Sequence, residues 1–493
     1  MLIDILHTSL FATEKERAIG VGFHNIGGVL RASNPAVVAK LDAHYGERCG
    51  HLPLDAQKLR VLVEIPTPAI DAHMVYLSQL FGKEIKAVTR ETLHAECMPG
   101  ERPLVVPYVN VPEADQYVKE VVDAELWGLP AAMVHVLKNK VEFYRLADEL
   151  NAADDSASFR APDYTISVLD ELPDAACNFL AQIEDLYVEA GLSAYYPLGI
   201  ILRAAESDGN YGSCILSARG NSILLVRDGD ADVIQTYSDW KTALLAAQSS
   251  LEATMHVEKE RRIVISRLVD LADSPGLSVV MLDGYVESLR WNGQLQGQES
   301  KACVGTSTYV PKTDYLRNLQ QRHEDQTAHF FITLLRQVAL KSGIDFTTIR
   351  GLANIDIMLP GALEVTLQQK RKQLFTHYLA ECNPRWTNYT DAIMNIIAVS
   401  RKEPTIRNMQ SVIREGISTI DKSPLPPQLD PSVVREHIYK LDDTLKQQGT
   451  RIICRMAKNP MGLIFAGDIQ KAQQEFDHLI AQLATQANHS FSI

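Results

Sequence analysis

The sequence predicts an α/β protein with an α+β tail, and three observations carry that expectation. Residues 58–126 repeat one pattern twice: an apolar run, a proline-containing turn and an amphipathic stretch. That is the grammar of strand–loop–helix units in a parallel layer. Past residue 197, short strand-like runs follow one another closely. Past the proline-rich stretch 423–432, the pattern changes again to helix, strand, turn, strand, helix.

In the first region, Arg60 to Ile65 leads to a helix at Ile70 to Phe81, and Pro103 to Val109 to one at Glu113 to Leu126. Residues 1–125 are therefore expected to form a first α/β domain. After Trp127-Gly128-Leu129-Pro130, a helical pattern with Val141, Tyr144, Leu146 and Leu150 begins just behind Lys138 and Lys140. The acidic, small-residue stretch 151–160 reads as a linker. The runs Leu198 to Ala205 and Cys214 to Ala218 flank a glycine-bearing loop, which predicts a hairpin. Further strands are expected at 222–227, 262–269, 277–282 and 285–288, with a helix over 239–254. Residues 300–311 read as loop or strand, 320–342 as an amphipathic helix, and 352–359 and 374–383 as two more strands. The four prolines of SPLPPQLDPS then break regular structure. The tail follows as helix 433–448, strands 451–456 and 462–466, and helix 469–484.

The chain of 493 residues is long enough for two to four domains at ~100–200 residues each. Its 46% apolar and 22% charged residues suit folded, soluble domains. With 48 Lys+Arg against 61 Asp+Glu, the net charge of −13 argues against nucleic acid or an anionic membrane as a partner. A local cationic pocket for a small anion stays open. The start, MLIDILHTSLFATEKER, carries Asp4 in its apolar stretch and no basic region before it, unlike a secretory signal. Apolar stretches such as Ala392 to Val399, interrupted by Asn395, fall far short of the ~20 residues of a membrane span. Seven scattered cysteines without a C-x-x-C pair fit a reducing, cytoplasmic setting. The absence of G-x-S-x-G, H-E-x-x-H, G-x-x-x-x-G-K-[ST] and G-x-G-x-x-G after a strand removes the usual support for hydrolase, zinc protease, P-loop and Rossmann readings.

Two constellations carry chemistry. In Ala380-Glu381-Cys382-Asn383-Pro384-Arg385, at the end of an apolar strand, Glu381 and Asn383 lie two apart and share a face. In Asn354-Ile355-Asp356-Ile357-Met358, Asp356 lies on the face opposite the two isoleucines. If the strands are adjacent, Asp356, Glu381 and Asn383 surround one point, a hard-oxygen set suited to Mg²⁺; the alternative is an ordinary solvated strand face. The second constellation is cationic. Arg203 interrupts an apolar strand, where a charge needs an anion or a buried carboxylate. It precedes Ser207-Asp208-Gly209-Asn210-Tyr211-Gly212-Ser213, a loop whose backbone N–H groups can approach phosphate oxygens. Lys140, at the front of its helix, is placed for phosphate or merely for solvent.

Lysine on a helix, a cationic strand with a glycine loop, a pair of strands and then D…E-x-N-P-R, in that order, resemble the ATP-grasp superfamily of carboxylate–amine ligases. The resemblance spans roughly residues 126–395, with a lid at about 162–275, and residues 1–125 resemble the α/β domain that precedes an ATP-grasp body. Residues 396–493 are expected as a helix/strand C-terminal domain. The stretches VVPYVNVPEADQYVKEV, LWGLPAAMVHVLKNKVEFYRLADEL and RIICRMAKNPMGLIFAGD are similar to pheganomycin-type peptide ligases.

The resemblance implies a residue-by-residue assignment. Lys140 and Arg203 would hold the ATP phosphates, Arg203 standing where the family usually has lysine. The loop with Ser207, Gly209, Asn210, Tyr211, Gly212 and Ser213 would close over the β- and γ-phosphates. The strand around Ser266, Arg267 and Leu268 would face the adenine edge, with Ser266 replacing the usual glutamate. A ribose-binding acid about seven residues on falls on Asp273, whereas alignment on the following strand selects Leu277. Asp356, Glu381 and Asn383 match the magnesium ligands, and Arg385 the arginine near the transferred phosphate. Where some members carry another arginine, Asn354 stands, leaving Arg385, Arg350 or Arg290 to supply that charge.

The implied reaction is ATP- and Mg²⁺-dependent joining of a carboxylic acid, such as an amino acid or peptide, to an amine. A non-amine acceptor and a nucleotide-binding protein without chemistry are the alternatives. The implied partners are small molecules, with homodimerisation left open.

Overall fold

The chain opens on a parallel sheet. Strands β1 (Ile19–Phe23), β2 (Lys58–Leu62), β3 (Glu84–Val88), β4 (Leu104–Pro107) and β5 (Glu125–Leu126) run in the order β3-β2-β1-β4-β5. Strands covered on both faces read as unbroken apolar runs, as LVVP does here. Helix α1 (Pro68–Phe81) starts where the Thr67 side chain accepts the N–H of Ile70 with Pro68 in the first turn, and ends at left-handed Gly82. Helices α2 (Arg90–Glu96) and α3 (Pro112–Gln116) follow. The strand order reverses between β1 and β4, and a crevice beyond the carboxyl ends of such a strand pair is where open α/β sheets take ligands. His24 and Tyr108 stand there.

The computed structural model describes residues 19–25, 35–36, 38, 46–51, 58–96, 103–121, 124–153, 159–207, 212–227, 233–255, 261–296, 303–373, 377–402, 416–420, 425–457 and 459–490. Helices α4 (Ala131–Lys138) and α5 (Lys140–Ala153) are separated by Asn139, whose Oδ1 accepts the N–H of Val141 at 3.1 Å and of Glu142 at 3.3 Å. This cap fixes Lys140 at the front of α5. Strand β6 (Phe159–Arg160) then leads into a six-stranded unit of order β11-β10-β9-β8-β12-β7. Its strands are β7 (Tyr164–Val168), β8 (Gly199–Ala204), β9 (Ser213–Arg219), β10 (Ser222–Arg227), β11 (Val233–Tyr237) and β12 (Arg262–Arg267). Helices α6 (Leu172–Glu189) and α7 (Trp240–Thr254) cover one face, burying Leu202, Leu216, Ile263 and Ile265. The expected hairpin is β8–β9, with Arg203 opposite Ser213.

The body is a ten-stranded sheet containing β13 (Leu271–Asp273), β14 (Gly276–Leu282), β15 (Tyr285–Gln296), β16 (Cys303–Thr308), β17 (Arg350–Pro360), β18 (His377–Asn383), β19 (Ile417–Ile420), β20 (Arg451–Cys454) and β21 (Leu463–Ala466), together with β6. Helix α8 (Asp314–Lys341) packs Phe331, Leu334 and Val338 against Leu277, Ile355 and Ile357 on one face. Helix α9 (Ala362–Lys370) links β17 to β18. The last three strands continue the same sheet through β19 on β16, and α10 (Asn388–Lys402) runs across residue 396. Helices α11 (Pro431–Leu445) and α12 (Ile469–Ser490) close the tail over β20 and β21. No helix among the described residues is long and apolar enough to cross a membrane.

Candidate active site

Strands β17 and β18 pair antiparallel with Asp356 directly opposite Glu381 and Asn354 opposite Asn383. Strand alternation places these polar groups on the face away from α8, because Ile355 and Ile357 occupy the other. Asn383 Nδ2 donates to Asp356 Oδ2 at 2.9 Å and to Glu381 Oε1 at 3.5 Å. Asn354 Nδ2 donates to Asp356 Oδ1 at 2.7 Å, and Ser278 Oγ to Asn354 Oδ1 at 2.9 Å. Burial, and then the Glu381 carboxylate opposite, push Asp356 up to about 7. Gly276 makes the room: a Cβ there would lie 2.8 Å from Asp356 Oδ1 and 3.0 Å from Asn292 Nδ2.

Two cations border this carboxylate pair. Lys140 is buried; its Nζ lies 3.5 Å from Glu381 Oε2 and donates to the carbonyl of Ser207. Its own N–H donates to Ala205 O at 2.8 Å, so α5 and the end of β8 are held together at this lysine. Arg203 Nη1 donates to Ala380 O at 3.0 Å and Nη2 to the Tyr144 hydroxyl. Its guanidinium lies 5.6 Å from the Tyr144 ring centroid. Arg203 Nε is buried without a hydrogen-bond partner among the described residues, a donor left over for an anion.

On the far side, Arg385 Nη2 donates to Asn383 Oδ1 at 2.8 Å and Nη1 to the Tyr108 hydroxyl at 2.8 Å. Tyr108 in turn stacks on His24 with ring centroids 4.2 Å apart. Burial first, and then Arg48, hold His24 well below its usual value, so the imidazole is neutral. The polar track from Arg203 to His24 thus joins the six-stranded unit, the body and the crevice beyond β1 and β4.

The other expected residues are placed as follows. Ser207 precedes the loop and Ser213 follows it, with Gly212 at a φ of +77° that favours glycine. Gly209, Asn210 and Tyr211 lie outside the described residues. Ser266 is buried on β12 opposite Ile201, and Asp273 on β13 accepts from the Tyr309 hydroxyl at 3.2 Å.

Two expected arginines are not brought to the carboxylates. Arg350 sits at the start of β17, six residues from Asp356 and so roughly 20 Å along an extended strand, paired with Asp283 at 2.8 Å. Arg290 is the extra residue of a bulge between Leu277 and Val279 on the partner strand, at a φ of +72°. The bulge turns it to Glu324 on α8 at 3.0 Å, the face opposite Asp356. Arg267 also differs from expectation: its side chain is buried against Glu364, its N–H donates to Asp163 O, and that of Leu268 to Gly199 O.

Sequence reasoning missed Tyr144, Ser278, Asn292 and Tyr108. Tyr144 fitted a helical apolar stripe, and its hydroxyl was the unused signal. Ser278 and Asn292 alternate with apolar neighbours on the same face as Asp356, a parity that was available once β14 was paired with β17 and β15 with β14.

No protein-family model matches the chain, and no curated protein sequence matches it significantly. Solved structures of similar shape include the N5-carboxyaminoimidazole ribonucleotide synthetase of Thermus thermophilus, 13% identical with a TM-score of 0.48, covering 94% of this chain and 98% of that one. The N5-carboxyaminoimidazole synthase of Aspergillus clavatus, solved with ADP and its aminoimidazole ribonucleotide, is 11% identical with a TM-score of 0.47 over 95% and 100% of the two chains. Biotin carboxylase of Campylobacter jejuni, as a β,γ-ATP complex, is 11% identical with a TM-score of 0.45 over 83% and 76%. The site's own geometry, and not these similarities, carries the functional reading.

Proposed function

We propose that this protein is an ATP-grasp ligase that activates a carboxylate with ATP as an acyl-phosphate and joins it to an amine, releasing ADP and phosphate. The observation that carries the reading is the facing carboxylate pair of buried Asp356 and half-buried Glu381, flanked by Lys140, Arg203 and Arg385. A carboxylate and the γ-phosphate repel each other, so a site that joins them needs cations on several sides.

The residues fit a hard divalent ion: two carboxylates share one face, and burial of Asp356 together with the Glu381 carboxylate opposite pushes Asp356 up to about 7, a penalty a bound cation would relieve. Bound there, Mg²⁺ would neutralise phosphate charge during transfer. Asp356 and Glu381 would hold it directly. Asn383 now donates to both and gives its oxygen to Arg385, so it would have to turn its amide to join them.

Lys140 and Arg203 would bind the phosphates from α5 and β8. A donor carboxylate oxygen attacks the γ-phosphorus as ADP leaves, with Arg385 placed to orient the new acyl-phosphate. The amine nitrogen then attacks the acyl carbon, phosphate leaves, and the amine proton passes to solvent. Residues 164–267, with the loop beginning at Ser207, would act as the lid that keeps water from the intermediate. Amino acids or small peptides are the proposed substrates, on the similarity of three stretches to pheganomycin-type peptide ligases.

Calorimetric titration with Mg·AMPPNP tests the nucleotide part. Binding that needs Mg²⁺ and is lost in Lys140→Met supports it, and no binding by the intact protein overturns it.

A further inference from the structure

The chain crosses between the six-stranded unit and the body twice, entering through residues 161–163 between β6 and β7 and leaving through 268–270 between β12 and β13. Both crossings meet at Arg267. Its backbone N–H donates to Asp163 O at 2.9 Å and its Nε to Asp163 Oδ2 at 2.9 Å. Its Nη1 and Nη2 grip Glu364 of α9 at 2.7 and 2.8 Å, with both side chains at 0% exposure. The Tyr378 hydroxyl from β18 donates to Glu364 Oε1 at 2.6 Å, and the Tyr196 hydroxyl from the six-stranded unit to Glu364 Oε2. Tyr196 also accepts the N–H of Asp270 at 2.6 Å, and Asp270 Oδ2 accepts that of Leu363 at 2.9 Å.

This cluster lies behind the cleft. Arg267 alternates with Ser266 on β12, so its guanidinium points to the side of α6 and α9, away from Lys140 and Asp356. A fully buried guanidinium has no water to replace a lost partner, and its planar fork matches a carboxylate as a lysine cannot. Motion that turns the six-stranded unit about this point preserves the bonds, whereas motion that slides it breaks several at once.

We propose that Arg267 and Glu364 form the pivot of the lid, a positioning pair that sets where the nucleotide-facing strand stands relative to Asp356 and Glu381. The inference rests on reading residues 164–267 as a lid over a nucleotide.

The test uses the full chain and two readouts. The first is Mg·AMPPNP affinity by calorimetry; the second is hydrogen exchange of segments 161–168 and 262–270 without nucleotide. Arg267→Lys breaks the fork, and Arg267→Met with Glu364→Met removes both charges without stranding either. In both, exchange in the two crossings is expected to rise at least tenfold while α8 and the parallel sheet keep wild-type exchange, and affinity is expected to fall at least tenfold. Tyr378→Phe removes one hydroxyl and moves the same two readouts the same way by less; it decides the matter should the pair variants fail to fold. Wild-type crossing exchange in the folded variants, or an increase spread evenly over the chain, overturns the pivot. Failure of the intact protein to bind Mg·AMPPNP instead sinks the nucleotide reading, and the exchange result still judges the pivot as a hinge.

Discussion

Asp356 and Glu381 stand directly across from each other on paired antiparallel strands, and one amide, that of Asn383, bonds to both at 2.9 and 3.5 Å. Two facing carboxylates with an amide between them form the arrangement in which the proposed divalent cation would sit.

Burial, and then the Glu381 carboxylate, push Asp356 up to about 7 from its ordinary value of 3.8, so the folded state binds this proton more tightly than the unfolded one. Metal-free stability is therefore expected to fall as pH rises from about 4 to about 7. Mg²⁺ takes the ionised carboxylate, so its binding should release a proton near pH 6 and little at pH 8. Melting curves in EDTA across about pH 5 to 8 check the sign. The slope should shrink in Asp356→Asn, and an unchanged slope there would assign it to other groups.

A single methyl should disable the same site. Gly276→Ala places a Cβ 2.8 Å from Asp356 Oδ1 and 3.0 Å from Asn354 Oδ1. The carboxylate must move, and Mn²⁺ affinity measured by electron paramagnetic resonance is expected to drop about tenfold or more, a loss of ~1.4 kcal/mol. Wild-type affinity would show that these oxygens do not hold the ion.

Arginines should separate sharply. Arg290 is 69% exposed in its pair with Glu324, and Arg350 is paired at the surface with Asp283. Such pairs contribute ~0–1 kcal/mol, so Arg290→Ala and Arg350→Ala should leave turnover within about twofold. Arg385→Ala, which removes the guanidinium bonded to Asn383 and Tyr108, is expected to lower kcat by about 10²-fold. Steady-state rates of phosphate release compare the three.

Arg203 should tolerate lysine better than an apolar residue. Arg203→Lys keeps a cation but loses the stack on Tyr144, whereas Arg203→Met removes the charge. Nucleotide affinity is expected within about tenfold of wild type in the first and about tenfold to a hundredfold weaker in the second, as for loss of a charge-assisted hydrogen bond. Equal affinities would remove Arg203 from the phosphate site.

How much of this was legible in the sequence follows from what alternation encodes. Asp356, Glu381 and Asn383 could be grouped because residue parity fixes the face of a strand and two strands 25 residues apart can pair. Arg290 could not be excluded, since parity alone puts it on the site face and only a bulge turns it away. Arg267 has the same limitation: its role depends on Glu364, on a short helix that carries no strong apolar stripe. Strands β1, β3, β7, β11 and β19, and helix α6, were not anticipated, and neither was the continuation of the body sheet into the tail. Each of those strands has five residues or fewer, and such short runs are indistinguishable from buried loop until they find neighbours.

The most direct measurement incubates the protein with ATP, Mg²⁺ and pooled carboxylic acids and amines, and follows phosphate release alongside product masses. The account predicts substrate-dependent phosphate and a product lighter by one water than the sum of an acid and an amine, both abolished in Glu381→Gln with the fold intact. Firm ATP binding without turnover on any pool, or near-normal turnover in Glu381→Gln, would contradict it.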